Sequence, residues 1–372
     1  MADTNLDALT NAITQALPTL LKSIEALEIA QRHLHPPRFE TLAASLEPVK
    51  HELDSAVEPL GEVTWPDDLQ VVQSQLGSAA SYVSQALKLA TTARTEEHFV
   101  QWIRATRARI RGTEMLYPLS PMFSPVNRFF IEAGCRNNDA IVQRAGQSMR
   151  SAPEEPQVGV MHAQNGRDER GGFSLYVPEF YTPDQQWPLV VALHGGSGHG
   201  ADFLWTWLRE ARSRGFIVLA PTAREGTWSL MGNDVDSLSL KKMVEYVSDQ
   251  WRIDSARILL TGMSDGATYS LLTGLQPDMP YTAFAPISGV LHPMNEVNGN
   301  MSRARGKPIY LVHGAFDWMF PVETAQIAHE ELKAVGANVH YREIEDLSHT
   351  YPREENAAIA AWFDESLRVE AT

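Results

Sequence analysis

Apolar positions in the first 150 residues recur at helical spacing. Leu6, Leu9, Ile13 and Leu17 open the pattern. Leu20, Leu21, Ile24 and Leu27 continue it after Pro18, which reads as a kink or a new start. His35-Pro36-Pro37 is a break. Phe39, Leu42, Leu46, Val49, Leu53, Val57 and Leu60 then predict a second helix that stops near Gly61. Pro66-Asp67-Asp68 reads as a helix start, with acids in the first turn where the helix dipole favours them. Leu69, Val72, Leu76, Tyr82, Val83, Leu87 and Leu89 carry a third helix, a fourth is predicted over 99–116, and two shorter pieces end near Met149. The pattern predicts an all-α, four-helix-bundle-like domain over residues 1–150.

Ser151-Ala152-Pro153-Glu154-Glu155-Pro156 is polar and proline-containing, and is read as a linker over 151–156. Beyond it the period changes. Short, β-rich, mostly apolar runs occupy 173–177, 188–193, 216–220, 257–260, 283–287, 308–312 and 339–344, with helical stretches at 202–213, 235–251 and 324–335 between several of them. Strands alternating with helices predict an α/β domain over 157–372, built on a mainly parallel sheet with helices on both faces.

Charge narrows the partners. The formal net charge is −15. Residues 1–150 carry 17 acids and 14 bases, the remaining 222 residues 29 and 17, so the second part holds most of the excess. An acidic surface repels nucleic acid and anionic membranes. No apolar run approaches the ~18 residues of a membrane span. The sequence begins Met-Ala-Asp-Thr-Asn, with neither a basic nor an apolar leader region, and Cys135 is the single cysteine. A cytoplasmic location is the expectation.

Gly262-Met263-Ser264-Asp265-Gly266 follows the apolar run Ile258-Leu259-Leu260 and precedes a helix-compatible stretch. A serine on a sharp strand-to-helix turn needs glycines two residues to either side, because larger side chains would collide there. Its hydroxyl needs a base, and in this order an acid and then a histidine follow the serine along the chain. Asp317 and His349 stand where the runs 308–312 and 339–344 end, at the same predicted sheet edge. His349 is read as the base and Asp317 as the residue that orients it. Asp346, only three residues from His349, is poorly placed to approach the ring from a separate loop, and His313 and His340 read as structural. A tetrahedral intermediate also needs fixed N–H donors for its oxyanion. The glycine-rich run His194-Gly195-Gly196-Ser197-Gly198-His199-Gly200 supplies the expected one at Gly196, with Ser197 as the alternative, paired with the amide of Asp265. A phosphate loop is excluded by spacing, since no Gly-x-Gly-x-x-Gly and no Gly-Lys-Ser/Thr is present there. His51-Glu52 and His329-Glu330 lack a second histidine four residues on, so no metal site is expected.

Tyr176-Val177-Pro178, Leu193-His194-Gly195-Gly196, Gly262 to Gly266, His313-Gly314-Ala315-Phe316-Asp317-Trp318-Met319-Phe320-Pro321 and Ser348-His349 together resemble the α/β-hydrolase superfamily. Within it, the similarity is to the phospholipase/carboxylesterase group and the polyhydroxybutyrate-depolymerase-like esterases. The resemblance spans roughly 157–370. It implies a serine carboxylesterase that works through an acyl-enzyme, with the catalytic residues Ser264, Asp317 and His349, a small-molecule ester as substrate and no cofactor. A thioesterase or peptidase using the same three residues is the alternative, as is a non-catalytic interaction protein built on the same fold. Asp265 departs from the group, where many relatives have an uncharged residue; an acid there disfavours anionic substrates unless its carboxylate points away. The helical half also has no counterpart in the family core, and is read as a lid, a homo-oligomer interface or a docking surface. Among the aromatics near the predicted crevice (Trp205, Trp207, Trp228, Trp318 and Phe320), Trp228 and Trp318 are expected to line the acyl pocket.

Overall fold

Four long helices account for the first part of the chain: α1 Ala2–Arg32, α2 Phe39–Glu62, α3 Gln70–Thr92 and α4 Phe99–Leu116. In the computed structural model, which describes residues 2–146 and 157–369, each packs on the next, and α1 also meets α3 and α4, which closes a bundle. The apolar stripes face inward: Leu20, Ile24 and Leu27 of α1, Leu53 of α2, Val83 and Leu87 of α3 and Trp102 of α4 are fully buried. Pro18 neither ends nor restarts α1, which runs unbroken through it. One missing N–H and one freed carbonyl four residues back are tolerable in a helix whose buried face is this long. Pro48 and Pro59 sit within α2 in the same way. A six-residue helix, α5 Ser124–Phe129, completes this part.

The chain divides into two compact units, Met1–Phe130 and Ile131–Thr372. Residues 131–146, including helix α6 Asp139–Ala145, pack with the second unit, although the sequence pattern groups them with the helical half. Their apolar residues Ile131, Cys135, Ile141, Val142 and Ala145 form a small cluster. Polar ties are specific: Arg214 grips both oxygens of Glu132 at 2.7 Å, and Arg144 donates to the Ser213 carbonyl at 2.7 Å. Arg212, fully buried, pairs with equally buried Glu179 at 2.9 Å. The expected linker at 151–156 lies outside the described residues.

The second unit is built on eight strands: β1 Gly159–Ala163, β2 Phe173–Val177, β3 Trp187–Leu193, β4 Ile217–Pro221, β5 Ile253–Met263, β6 Ala283–Ile287, β7 Pro308–Gly314 and β8 Asn338–Ile344. They form one sheet in the order β1-β2-β4-β3-β5-β6-β7-β8. β2 runs antiparallel to both β1 and β4, and the remaining pairs are parallel. Burial follows position. All seven residues of central β3 are buried, whereas edge strand β8 alternates exposed and half-buried positions. The sheet's helices are α7 Gly200–Phe203, α8 Leu208–Arg214, α9 Ser237–Gln250, α10 Asp265–Gly274, α11 Met294–Val297, α12 Asn300–Arg303, α13 Val322–Ala334 and α14 Asn356–Phe363. This is the mainly parallel α/β architecture that the alternation of runs predicts. Among the described residues, no helix is long and apolar enough to cross a membrane.

Candidate active site

Strand β5 ends and helix α10 begins at Ser264, whose backbone is held at φ 55° and ψ −119°. A non-glycine residue in that region is strained, and the surroundings must enforce it. Here they do. The Ser264 amide donates to the Ile287 carbonyl of β6 at 3.0 Å, and its own carbonyl accepts from the Thr268 amide at 2.9 Å. The flanking glycines leave no alternative: a Cβ on Gly262 would lie 2.6 Å from the backbone of Gly266, and one on Gly266 2.5 Å from the His194 carbonyl oxygen. Ser264 therefore stands at the carboxyl end of a central strand on a turn so tight that the positions two residues to either side cannot carry side chains.

His349 reaches the same point from the loop after β8. Its Nε2 lies 3.0 Å from Ser264 Oγ, and its Nδ1 lies 2.8 Å from Asp317 Oδ2. A carboxylate only accepts, so Nδ1 carries the proton and Nε2 is the acceptor for the serine hydroxyl. Asp317 comes from the loop after β7. Its other oxygen accepts from the amides of Met319 at 3.0 Å and Phe320 at 2.8 Å, so the carboxylate is fixed from both sides. Phe320 also packs edge-on against the His349 ring, with centroids 5.3 Å apart. Asp346 is exposed, and the acid that faces the His349 ring is Asp317. His313 is fully buried and donates from Nε2 to the Phe320 carbonyl, 2.8 Å away, beneath the Asp317 loop.

The glycine-rich run after β3 is pinned by groups the sequence does not advertise. His194 is 1% exposed. Its Nε2 accepts from the Ala223 amide at 3.1 Å, which leaves Nδ1–H to donate to the Gly195 carbonyl at 2.7 Å. Burial pushes this imidazole down to about 3, against the pull of the Gly195 hydrogen bond. Arg170, from the β1–β2 connection, donates to the carbonyls of Gly198 at 2.7 Å, Ala223 at 3.0 Å and Glu225. The Ser197 amide is taken by the Gly226 carbonyl at 2.9 Å, so the alternative oxyanion donor is already engaged. Among the described residues, no acceptor engages the amides of Gly196 or Asp265.

The two tryptophans part company. Trp318 is 44% exposed on the loop after Asp317. Trp228 is 2% exposed, stacks on Tyr269 at 5.6 Å and donates its indole N–H to the His194 carbonyl at 2.7 Å. It stands under the glycine-rich loop as a support, with almost no surface left for a ligand. Trp205 and Trp207 are likewise buried. The loop carrying Trp228 is itself ordered by two acids: Asp236 accepts from the amides of Arg224 and Ser229, and Asp234 accepts from Ser237 and Tyr269. Burial raises the Asp234 carboxyl, but those hydrogen bonds outweigh it and hold the group below its ordinary value. Among the described residues, no group of three or more His, Cys, Asp or Glu side chains is arranged to hold a metal ion.

Residues 233–366 match the model of the Phospholipase/Carboxylesterase family, a span that includes Ser264, Asp317 and His349 but not the glycine-rich loop. The chain is 29% identical over 205 residues to a bifunctional acetylxylan esterase/xylanase of Neocallimastix patriciarum, covering 53% of this chain and 28% of that one. It is 28% identical over 148 residues to feruloyl esterase B of Talaromyces funiculosus, covering 36% of this chain and 41% of that one. It thus spans less than half the length of these two curated relatives. A solved thermostable esterase aligns with 55% of this chain and 62% of its own at 23% identity and a TM-score of 0.45. With the family match and the eight-stranded sheet, the second unit has the α/β-hydrolase fold, and the chain resembles the phospholipase/carboxylesterase group.

Proposed function

We propose that this protein is a serine hydrolase that cleaves carboxylic esters through an acyl-enzyme. The observation that carries this reading is the unbroken line Asp317 Oδ2–His349–Ser264 Oγ at 2.8 and 3.0 Å, ending on a serine held in a strained turn. Ser264 Oγ attacks the ester carbonyl as its proton passes to His349 Nε2. Asp317 stabilises the resulting imidazolium through Nδ1–H. The amides of Gly196 and Asp265 receive the oxyanion. Collapse breaks the bond to the alcohol, which leaves with the proton from His349, and water then enters by the same proton route in reverse to release the acid. The substrate is a small-molecule ester, and Trp318, exposed on the loop after Asp317, is assigned as an apolar wall of the acyl pocket. Relatives named for acetyl and feruloyl esters point to acyl groups that are short or aromatic.

The test is hydrolysis of a p-nitrophenyl ester series from acetate to palmitate by the intact chain, beside Ser264→Ala. Turnover with an optimum at short acyl chains, lost in the variant while its thermal melt stays within about a degree, supports the reading. Turnover retained in Ser264→Ala removes it.

A further inference from the structure

The carboxylate of Asp265 does not point away from the site. A Cβ built on Gly196 would lie 2.7 Å from Asp265 Oδ2 and 3.9 Å from Thr227 Oγ1. The acid therefore occupies the open side of the very glycine whose amide is unengaged. Thr227 donates its hydroxyl to that same Oδ2 at 2.6 Å. The tether is firm at its other end, because the residues flanking Thr227 are fastened to the glycine-rich loop: Gly226 accepts from the Ser197 amide, and Trp228 donates to the His194 carbonyl. Among the described residues no cation pairs with Asp265, and its side-chain partner is the neutral Thr227 hydroxyl.

We propose that Asp265 is a specificity-determining residue for this site. Fixed by Thr227 beside Gly196, its negative charge excludes esters whose acyl group is anionic and directs the site to neutral and cationic acyl chains. The proposal rests on the ester-hydrolysis reading above. A charge carried a few bonds from a carbonyl seated on the Gly196 amide is taken to lie about 7–8 Å from the carboxylate, within one screening length at physiological ionic strength. For a like charge in a partly solvated crevice, that separation corresponds to roughly tenfold discrimination after screening. The oxyanion itself is common to every ester, so whatever Asp265 does to it cancels in a ratio of two substrates. The acyl charge alone remains.

Three p-nitrophenyl esters of one chain length test this: butanoate, its ω-sulfonate and its ω-trimethylammonium analogue. The sulfonate is a poor nucleophile and does not cleave its own ester. In the parent chain kcat/KM is expected to be lowest for the sulfonate, and the sulfonate-to-butanoate ratio is expected to rise roughly tenfold in Asp265→Asn. Asparagine keeps the shape and an acceptor for Thr227. Thr227→Val, which frees the carboxylate without removing it, is expected to raise the ratio by a smaller factor, and it carries the test if the asparagine variant does not fold. Glu245→Gln, an exposed acid on α9, removes the same net charge elsewhere and is expected to leave the ratio unchanged. A ratio that stays within twofold of the parent in the folded variants of Asp265 and Thr227, or that moves equally in Glu245→Gln, overturns the proposal while leaving ester hydrolysis intact. Hydrolysis of none of the three esters removes both readings together.

Discussion

Lowering the pH should weaken the second unit through one buried imidazole. His194 is held neutral because its Nε2 must accept from Ala223 and because burial pushes it down to about 3. In the unfolded chain the same group titrates near 6.5. Between these values the unfolded chain binds a proton that the native protein refuses. The stabilisation is therefore complete above pH 6.5 and is lost as the pH falls toward 3. From pH 7 to pH 5 the change is about 2 kcal/mol for this group alone. His199, which burial also lowers, adds in the same direction. His194→Gln isolates the term: its amide oxygen can take the Ala223 N–H but cannot titrate. The measurement is amide exchange of peptides from β3, corrected for intrinsic rates, in both chains at pH 7, 6 and 5. The opening free energy should fall with pH about 2 kcal/mol more steeply in the parent than in the variant. Equal slopes would refute the reasoning.

Three further outcomes follow from packing and burial. Gly266→Ala should lower the melt sharply, by the equivalent of several kcal/mol, because its Cβ would sit 2.5 Å from the His194 carbonyl oxygen; a melt within two degrees of the parent contradicts the turn geometry. Glu179→Ala should destabilise by about 3–5 kcal/mol through the buried Arg212 charge it strands, and Glu179→Leu with Arg212→Met should recover a large part, as read by denaturant unfolding. Cys135, 1% exposed, with its thiol pushed up chiefly by burial, should resist a disulfide reagent at pH 7.5 until the protein is unfolded. Stoichiometric labelling of the native protein would show that its cluster opens readily.

Strong local patterns were legible in the sequence, and long-range ties were not. The runs at 173–177 and 283–287 coincide with β2 and β6, because each is an apolar stretch bounded by turn residues. The order of serine, acid and histidine after β5, β7 and β8 names the three side chains that the sheet brings within hydrogen-bond distance. Strand β1 escaped, since Gly159–Ala163 is a short edge strand with mixed burial and carries neither an apolar run nor a clean alternation. Residues 131–146 read as more of the helical half because helix period does not say which core a helix will join; the choice is made by Glu132, Arg144 and Ala145 meeting Arg214, Ser213 and Arg212. Trp228 looked like a pocket wall from its place after a strand, yet its N–H is used under the loop. The grip of Arg170 had no signal at all, its carbonyl partners lying 28 to 55 residues away.

The central claim is that Ser264 is a nucleophile activated by His349. Its most direct test is to treat the intact chain with a fluorophosphonate and locate the adduct by peptide mass spectrometry. The account predicts one phosphonyl group per chain, on the peptide containing Ser264, absent in Ser264→Ala and formed at least a hundredfold more slowly in His349→Ala. An unlabelled protein, or label on another serine at the same rate in both variants, would contradict it.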